Sequence, residues 1–155
     1  MVATPIGNLA DISLRALHTL ALADCIACED TRHTGQLLHA FGLHKPLLAA
    51  HEHNEQEAAS ALIAKLQAGQ RVAYVSDAGT PAVSDPGARL VAAVHAAGLR
   101  ALPLPGASSV TSALSVAGAV ASDVHDSGFV FAGFLPSKSA ERAQAVARLA
   151  HEPRC

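Results

Sequence analysis

Short apolar runs and longer amphipathic segments alternate along this chain. In the longer segments the apolar residues recur every three or four positions, which is the helical period, whereas each short run has the length of a buried strand. The runs that predict strands are residues 1–3, 25–28, 47–50, 71–75, 99–104 and 129–134. The segments that predict helices are residues 14–22, 31–41, 55–68, 87–97, 110–117 and 140–150.

This alternation is typical of parallel βαβ units and predicts an α/β fold. We expect a three-layer domain over residues 1–150, in which helices cover both faces of a mostly parallel sheet of about five or six strands. Residues 151–155 are expected to begin a second, C-terminal domain. The first predicted strand is short, since buried strands usually run about five residues.

Polar residues ahead of the first two helices predict their N-caps, because a side-chain oxygen there accepts a hydrogen bond from a free backbone N–H. Asp11 or Ser13 stands before the first helix, and Asp30 or Thr31 stands before the second. Gly42 is expected to end the second helix.

The next two helices carry start signals of other kinds. Asn54 with Glu57 three residues later has the pattern of a capping box, which predicts a helix start at residue 55. Ser84 or Asp85 is expected to cap the following helix, with Pro86 in its first turn.

Turns rich in Gly, Ser and Pro follow the fourth and fifth predicted strands, at residues 76–81 and 105–109. The carboxyl ends of parallel strands lie at one edge of a sheet, so we expect the two turns to lie side by side. Ligand sites of open α/β sheets usually lie at this edge. The chain from residue 76 to Gly87 is therefore the expected floor of a small-molecule site.

A cluster of ionisable residues follows the second predicted strand: Glu29, Asp30, Arg32 and His33. One interpretation is a capped helix start, at which the helix dipole favours the acids. The other is that the carboxylates and Arg32 face the same sheet edge as Gly79, and therefore a ligand. The residues by themselves leave both interpretations open.

Composition and charge limit the classes of protein that this chain can represent. With 155 residues, 50% hydrophobic and 15% charged, it is long enough for one globular domain with a core. Aromatic residues make up only 3%, so we expect a core of Ala, Leu and Val. The net charge of -2 gives no global basic field for nucleic acid, and an RNA partner would have to be held by local groups.

The sequence gives little support for a membrane protein, a redox-active cysteine pair or a metal site. No stretch approaches the roughly 18 consecutive apolar residues of a membrane span, and no signal-peptide pattern opens the chain, so a cytoplasmic location is expected. Cys25 and Cys28 have redox spacing but lie inside an apolar run, which favours a role as core residues. His51 and His53 could share one strand face, but no third ligand stands at a suitable spacing, and no metal is predicted.

The two common phosphate-binding patterns, Gly-x-x-x-x-Gly-Lys-Ser/Thr and Gly-x-Gly-x-x-Gly after the first strand, are absent from the sequence. Gly79 and Gly106, with the small Ala107 and Ser108, would instead let the backbone approach an extended, partly apolar ligand. Asp77 and the hydroxyl groups of the turns would supply polar contacts.

Six motifs in sequence resemble the tetrapyrrole methylase superfamily, the class III S-adenosylmethionine-dependent methyltransferases, and within it the 16S rRNA cytidine 2'-O-methyltransferases. They are TPIGNLxDI at residues 4–12, EDTR at 29–32, HxHNE at 51–55, VSDAGTPxxSDPG at 75–87, PLPGxS at 103–108 and GFLPxK at 133–138. Porphyrin-modifying members carry Gly-Asp-Pro where this chain has Gly79-Thr80-Pro81. Thr80 therefore favours the rRNA branch over a corrinoid or sirohaem enzyme.

The resemblance implies a two-domain, homodimeric enzyme that binds S-adenosylmethionine between its domains. Its expected partner is 16S rRNA in the small ribosomal subunit, and its expected reaction is methylation of a cytidine ribose at the 2'-hydroxyl. The predicted cofactor-binding residues are Ile6 in the first turn, Asp77, Ala78, Gly79, Thr80 and Val83 in the following loop, and Ser108 and Ser109 in the later turn.

The methyl transfer implied by the resemblance requires few catalytic groups from the protein. The methyl group of the sulfonium is already electrophilic, so the enzyme must mainly align the reacting atoms and remove a proton from the ribose hydroxyl. Glu29, Asp30 and Lys138 are predicted to orient or deprotonate that hydroxyl. Arg32, His33 and Lys138 are predicted to hold the RNA backbone through charged hydrogen bonds.

Residues 152–154 fall where proteins of this kind enter their second domain. Cofactor contacts from that domain are then expected to be missing, and S-adenosylmethionine should bind weakly to this chain alone. A non-catalytic chain that folds and dimerises is one alternative function. A methyltransferase for a small tetrapyrrole is another.

Overall fold

The computed structural model of the protein describes residues 1–51, 54–118 and 128–151. The chain divides into two compact units, Met1–Ser109 and Val110–Cys155. The first unit contains the sheet and four helices that pack on it. The described part of the second unit contains helices and, at residues 128–138, irregular chain. None of the helices in the described ranges has the length and apolar character needed to cross a lipid bilayer.

The sheet has three strands, β1 (Cys25–Cys28), β2 (Leu47–Ala49) and β3 (Val72–Val75), in the order β2-β1-β3. Both pairings are parallel. All four residues of β1 are buried, as befits the central strand of a parallel sheet with both faces covered. The α/β fold is confirmed, and the strands predicted at residues 25–28, 47–50 and 71–75 are present.

The start of the chain extends the sheet by single bridges. Val2 lies between β3 and Leu104, with parallel bridges to Val75 and to Leu104. Its N–H donates to the Tyr74 carbonyl at 2.8 Å, and the Leu104 N–H donates to the Met1 carbonyl at 2.9 Å. The spatial order is therefore β2, β1, β3, Val2 and Leu104, with all neighbours parallel.

The predicted number of five or six strands is too high. Pro103 and Pro105 flank Leu104, and a proline has no N–H to donate to a ladder, so the run at 99–104 contributes one bridge and no strand. The run at 1–3 is likewise reduced to the bridges of Val2. The run at 129–134 forms no strand, and Gly133 interrupts it with a φ of 73°.

The helices of the described residues are α1 (Leu14–Leu22), α2 (Thr31–Ala40), α3 (Glu55–Gln67), α4 (Ala88–Ala96), α5 (Ser109–Val116) and α6 (Ser139–Leu149). A 3-10 turn at Leu9–Asp11, which the sequence did not predict, precedes α1. Ser13 Oγ caps α1 by accepting from the Ala16 N–H at 3.0 Å. Asp30 Oδ1 caps α2 by accepting from the Arg32 N–H at 2.8 Å. One of the two predicted caps is thus used at each helix.

The helix start predicted at residue 55 is confirmed, with Asn54 in the N-cap position, but the predicted capping bond of α3 does not form and the cap predicted for α4 is wrong. The Asn54 side chain makes no capping bond to α3, because its Oδ1 accepts from the His51 N–H at 2.8 Å and its Nδ2 donates to the Ala49 carbonyl at 3.0 Å. It closes the turn after β2 instead. The N-cap of α4 is Gly87, so Ser84, Asp85 and Pro86 all lie before the helix.

Two apolar layers cover the sheet, as predicted for a three-layer domain. Successive side chains of a strand point to opposite faces. Ile26 and Cys28 of β1 therefore pack with α1 and α2, whereas Ala27 between them packs with α3 and α4. Both layers consist largely of Ala, Leu and Val, and Tyr74 in the second is the one aromatic side chain among their buried members.

Candidate functional site

Three turns converge at the carboxyl end of the sheet: residues 4–8, the 76–87 loop and the 105–109 turn. Thr4 and Gly79 exchange two backbone hydrogen bonds, each of 3.0 Å. The Thr80 hydroxyl donates to the Ala107 carbonyl at 3.1 Å. The prediction that the turns after the fourth and fifth runs lie side by side is therefore confirmed.

Gly79 is the point at which the three turns meet. It is buried, with a φ of 83°. A Cβ at this position would lie 3.3 Å from Ile6 Cγ2 and 3.7 Å from the Ala107 carbonyl oxygen. The absence of a side chain thus allows the first turn and the 105–109 turn to close on the 76–87 loop.

Around Gly79 the predicted cofactor residues offer both apolar and polar surface. The side chains of Ile6 and Val83 are 39% and 51% exposed, and Ala78 is also exposed. Thr80 and Ser108 are half-buried beside them, and Ser109 begins α5. An extended ligand with an apolar part and several hydrogen-bonding groups, such as S-adenosylmethionine, fits this surface.

Asp77 links the end of β3 to the end of β1. Its Oδ1 accepts from the Asp30 N–H at 3.2 Å. It also lines a cavity of about 310 Å³ between the first turn and α2, together with Thr4, Pro5, Gly7, Leu9, His33, Gln36, Leu37 and Ala40. This volume lies at the lower end of the range for small-molecule sites. A group bound there would lie next to the 76–87 loop.

The two acids at the end of β1 have different surroundings. The Asp30 carboxylate caps α2 and holds the Arg32 guanidinium through two further contacts, 2.8 Å to Nη2 and 3.2 Å to Nε. These hydrogen bonds hold the pKa of Asp30 well below its usual range. Such a carboxylate is a weak proton acceptor. The Arg32 side chain is 88% exposed, so the pair presents a fixed cation at the surface.

Glu29 has the opposite electrostatic environment. Burial, and then the negative charges of Asp77 and Asp85, raise the pKa of Glu29 above its ordinary value, although the nearby His51 lowers it. No hydrogen bond to the Glu29 carboxylate is found in the described part of the chain. Of the two acids, Glu29 is therefore the stronger proton acceptor, and the capped-helix interpretation accounts for Asp30.

Replacing Glu29 by glutamine is expected to stabilise the fold near neutral pH. A raised pKa in the folded state means that the charged form is disfavoured there, so this residue costs stability as the pH rises above the pKa of the unfolded chain. We expect Glu29→Gln to raise the free energy of unfolding at pH 7 by roughly 0.5 kcal/mol, with no gain at pH 4 or below.

Urea denaturation at the two pH values checks this, with Glu57→Gln on the exposed start of α3 as the matched control. A Glu29→Gln protein that is less stable than wild type at pH 7 would contradict the electrostatic account.

Lys138, predicted to act on the ribose hydroxyl and the RNA backbone, belongs to the second unit. It is the N-cap residue of α6, and its side chain is 79% exposed. Its Nζ lies 3.2 Å from Glu141 Oε1, one turn along the helix. The predicted roles of Lys138 remain predictions.

The cysteines of β1 and His51 are the residues considered for redox or metal chemistry. Cys25 and Cys28 are buried free thiols in β1, and burial raises the pKa of both. Within the described ranges, no group of three or more His, Cys, Asp and Glu side chains is arranged to hold a metal ion. His53, considered with His51 as a metal ligand, lies outside the described residues.

Several residues of the site escaped prediction from the sequence. Thr4 is 1% exposed, and its hydroxyl donates to the Ser76 carbonyl at 3.2 Å, which joins the first turn to β3. Gln36 and Leu37 line the cavity but read as ordinary helix residues. Ala107 contributes its carbonyl oxygen, for which a sequence contains no side-chain signal.

Comparison with known proteins identifies the family. The family model described as Tetrapyrrole (Corrin/Porphyrin) Methylases matches residues 1–155. The chain belongs to the tetrapyrrole methylase family. The resemblance inferred from the six motifs is thereby confirmed, and methylases of this family take their methyl group from S-adenosylmethionine.

The similar curated proteins are named as rRNA methyltransferases. The chain is 52% identical to "Ribosomal RNA small subunit methyltransferase I" of Xylella fastidiosa, over 99% of this chain and 55% of that protein. It is 53% identical to the protein of the same name from Escherichia coli O157:H7, over 99% of this chain and 52% of that protein. The chain thus spans about half the length of the curated relatives it matches.

Solved structures of tetrapyrrole methylases share the fold. Uroporphyrin-III-C-methyltransferase from Thermus thermophilus has a TM-score of 0.57 at 27% identity, over 76% of this chain and 50% of that one. The methyltransferase CobJ has a TM-score of 0.61 at 22% identity, over 97% of this chain and 61% of that one. At that identity the CobJ likeness supports the fold alone.

Proposed function

We propose that this chain carries the cofactor loops of an S-adenosylmethionine-dependent methyltransferase that acts on the 2'-hydroxyl of a cytidine ribose in 16S rRNA. The observation that carries the proposal is the convergence of the three turns on Gly79, joined by the Thr80–Ala107 hydrogen bond. The identity of about half to curated rRNA methyltransferases supports the rRNA substrate. Residues 1–150 would be the N-terminal domain of this enzyme, and residues 151–155 would lead into the C-terminal one.

In this proposal the cofactor lies across the backbone of the 76–87 loop and the 105–109 turn. Ile6 and Val83 would cover its apolar part, and Thr80, Ser108 and Ser109 would hold its polar groups, with Asp77 and Ala78 at the near end of the loop. The bound cofactor supplies an electrophilic methyl group. The cavity beside Asp77 would hold the target nucleotide, because a group there adjoins the cofactor loop.

The protein's own part of the reaction is alignment and proton removal. Glu29 is the better placed of the two acids to take the proton of the ribose hydroxyl, since the Asp30 carboxylate is engaged by Arg32. Asp30 would then act by holding Arg32, which together with His33 would contact the RNA phosphates. Lys138 is proposed to act on the same RNA. With a net charge of -2, these local cations must carry the attraction.

We further propose that the enzyme works as a homodimer in the cytoplasm, where small ribosomal subunits are available as substrate. Apolar side chains exposed on the second unit support an interface between chains. Phe129, Phe131 and Phe134 are 54%, 47% and 85% exposed. Exposed aromatic residues of this kind are enriched in protein interfaces.

Methyl transfer to small ribosomal subunits tests the proposed function. We expect radiolabelled methyl groups from S-adenosylmethionine to reach a cytidine ribose of 16S rRNA when the C-terminal half of the Escherichia coli relative is supplied with this chain. Without that half we expect little transfer, and calorimetric titration should detect only weak cofactor binding. Nuclease digestion and mass spectrometry locate the methyl group.

The alternatives give different results in the same assay. A methyl group on a base, or transfer to uroporphyrinogen in place of rRNA, would contradict the proposed substrate. A complemented chain that dimerises and binds no S-adenosylmethionine would support a non-catalytic folding and dimerisation role. Micromolar cofactor affinity of the chain alone would contradict the expected need for a second domain.

A further inference from the structure

Among the described residues, hydrogen bonds to other elements hold the 76–87 loop at its two ends and not in its middle. At its near end, Gly79 bridges Thr4 and the Thr80 hydroxyl donates to Ala107. Within the described part of the chain, no hydrogen bond joins residues 81–85 to another element. The position of this middle section, which contains the proposed cofactor residue Val83, therefore depends on what holds the far end.

The middle section is also strained. Ala82 has a φ of 65°, a left-handed conformation that costs free energy for any residue with a Cβ. Such conformations persist only where the surrounding structure holds them. A strained section between two fixed ends will relax if either end is released.

Glu55, a residue of the neighbouring helix α3, holds the far end of the loop. It is the first residue of α3, and its Oε1 accepts from the Gly87 N–H at 3.1 Å, at the N-cap of α4. Its Oε2 lies 4.0 Å from Arg89 Nε. The Glu55 side chain is only 11% exposed, whereas that of Arg89 is 86% exposed. This largely covered carboxylate thus joins the start of α3 to the start of α4.

A second contact at the same place shows that the far end is built as an anchor. The Tyr74 hydroxyl of β3 donates to the Pro86 carbonyl at 2.8 Å. Tyr74 is buried, and its ring lies against Gly87. Tyr74 fixes the carbonyl of Pro86 from the sheet, and Glu55 fixes the N–H of the next residue from α3. Among the described residues, Glu55 Oε1 is the acceptor found for the Gly87 N–H, so this N–H depends on Glu55.

We infer that Glu55 is a positioning residue, which sets the conformation of the middle section, residues 81–85, and thereby the affinity for the cofactor. This rests on the proposed function, in which S-adenosylmethionine lies on that section. The carboxylate acts through Gly87 and touches neither cofactor nor RNA. The sequence showed Glu55 as part of a motif at 51–55 and gave it no role.

Three substitutions of Glu55 test separately whether the acceptor oxygen, the negative charge or the length of its side chain holds the loop. Glu55→Gln keeps an acceptor oxygen at the same distance and is expected to behave like wild type. Glu55→Met keeps the length without the acceptor, and Glu55→Asp keeps the charge but stops short of Gly87. Both are expected to release the loop. Glu57→Met, on the exposed side of the same helical turn, is the control.

Hydrogen exchange of the 155-residue chain measures the exchange rates of the loop amides and needs no ligand. We expect the hydrogen-bonded amides of the loop, those of Gly79 and Gly87, to exchange about tenfold faster in Glu55→Met and Glu55→Asp, with the amides of β1 unchanged. When the C-terminal half is supplied, the same variants should raise the KM for S-adenosylmethionine about tenfold at nearly constant kcat. Glu55→Gln should keep the KM of the wild type.

The outcomes decide between the claims. Unchanged loop exchange in Glu55→Met and Glu55→Asp overturns the inference, and so does equal acceleration in the loop and β1, which would make Glu55 a residue of general stability. If Glu55→Met does not fold, Glu55→Asp gives the same answer. Faster loop exchange, together with a wild-type chain that binds no S-adenosylmethionine even when the C-terminal half is supplied, would leave Glu55 as the loop anchor while contradicting the proposed function.

Discussion

Replacing Gly106 by alanine is expected to lower the free energy of unfolding by about 2 kcal/mol. A Cβ at this position would lie 2.8 Å from Ala3 Cβ and 3.6 Å from the Ala3 carbonyl oxygen. Ala3 is 3% exposed, and its Cβ is attached to the backbone directly, so it cannot rotate away. The 105–109 turn must therefore move from the first turn, which also breaks the Thr80–Ala107 hydrogen bond.

Urea denaturation of the chain measures this loss, and Gly35→Ala is the matched control. Gly35 lies within α2, where an added Cβ would meet only Leu47 Cδ1 at 3.9 Å. Since alanine favours the helix over glycine, Gly35→Ala should gain roughly 0.5–1 kcal/mol. Equal stabilities for Gly106→Ala and wild type would show that the two turns are not in close contact.

Replacing Gly79 by alanine is expected to weaken S-adenosylmethionine binding at least tenfold in the complemented enzyme. The φ of 83° costs an alanine roughly 1–2 kcal/mol, and the new Cβ would press on Ile6 Cγ2 at 3.3 Å. Relaxing the contact displaces the loop or the first turn, which are the two surfaces proposed to hold the cofactor. A loss of about 1.4 kcal/mol in binding corresponds to tenfold.

Gly42→Ala separates backbone strain from the effect on the site. Gly42 has a φ of 67° with no atom within 4 Å of an added Cβ, so it carries a similar strain away from the turns. We expect both variants to lose stability and only Gly79→Ala to lose cofactor affinity by calorimetric titration. If both variants bind S-adenosylmethionine as wild type does, Gly79 has no part in the cofactor site.

The strands and helices were predictable where one local signal dominated. The apolar run at 25–28 is buried on both faces, and such a run forms a central parallel strand with little dependence on its context. The run at 99–104 contained the opposite signal in Pro103 and Pro105, which remove ladder donors. Its apolar character predicted burial, whereas its prolines limited it to the bridge at Leu104.

Helix caps were predictable only when the capping side chain had no better partner. Ser13 and Asp30 bond within their own turns, so local sequence was sufficient. Asn54 bonds instead to Ala49 at the end of β2 and to His51. The Gly87 N–H donates to Glu55, 32 residues away. A capping motif read along the sequence does not show such competing partners, because they come from other elements.

The sequence by itself determined the alternation of strands and helices, the turns that form the site and the family of the protein, since these depend on local periodicity and on motifs. Only the tertiary structure decided that Glu29 lies near the negative charges of Asp77 and Asp85, which belong to a distant part of the chain. It also decided that Gly79 closes three turns and that Glu55 holds the far end of the loop. These contacts join segments that are remote in the chain, and local sequence patterns contain no information on the distances between such segments.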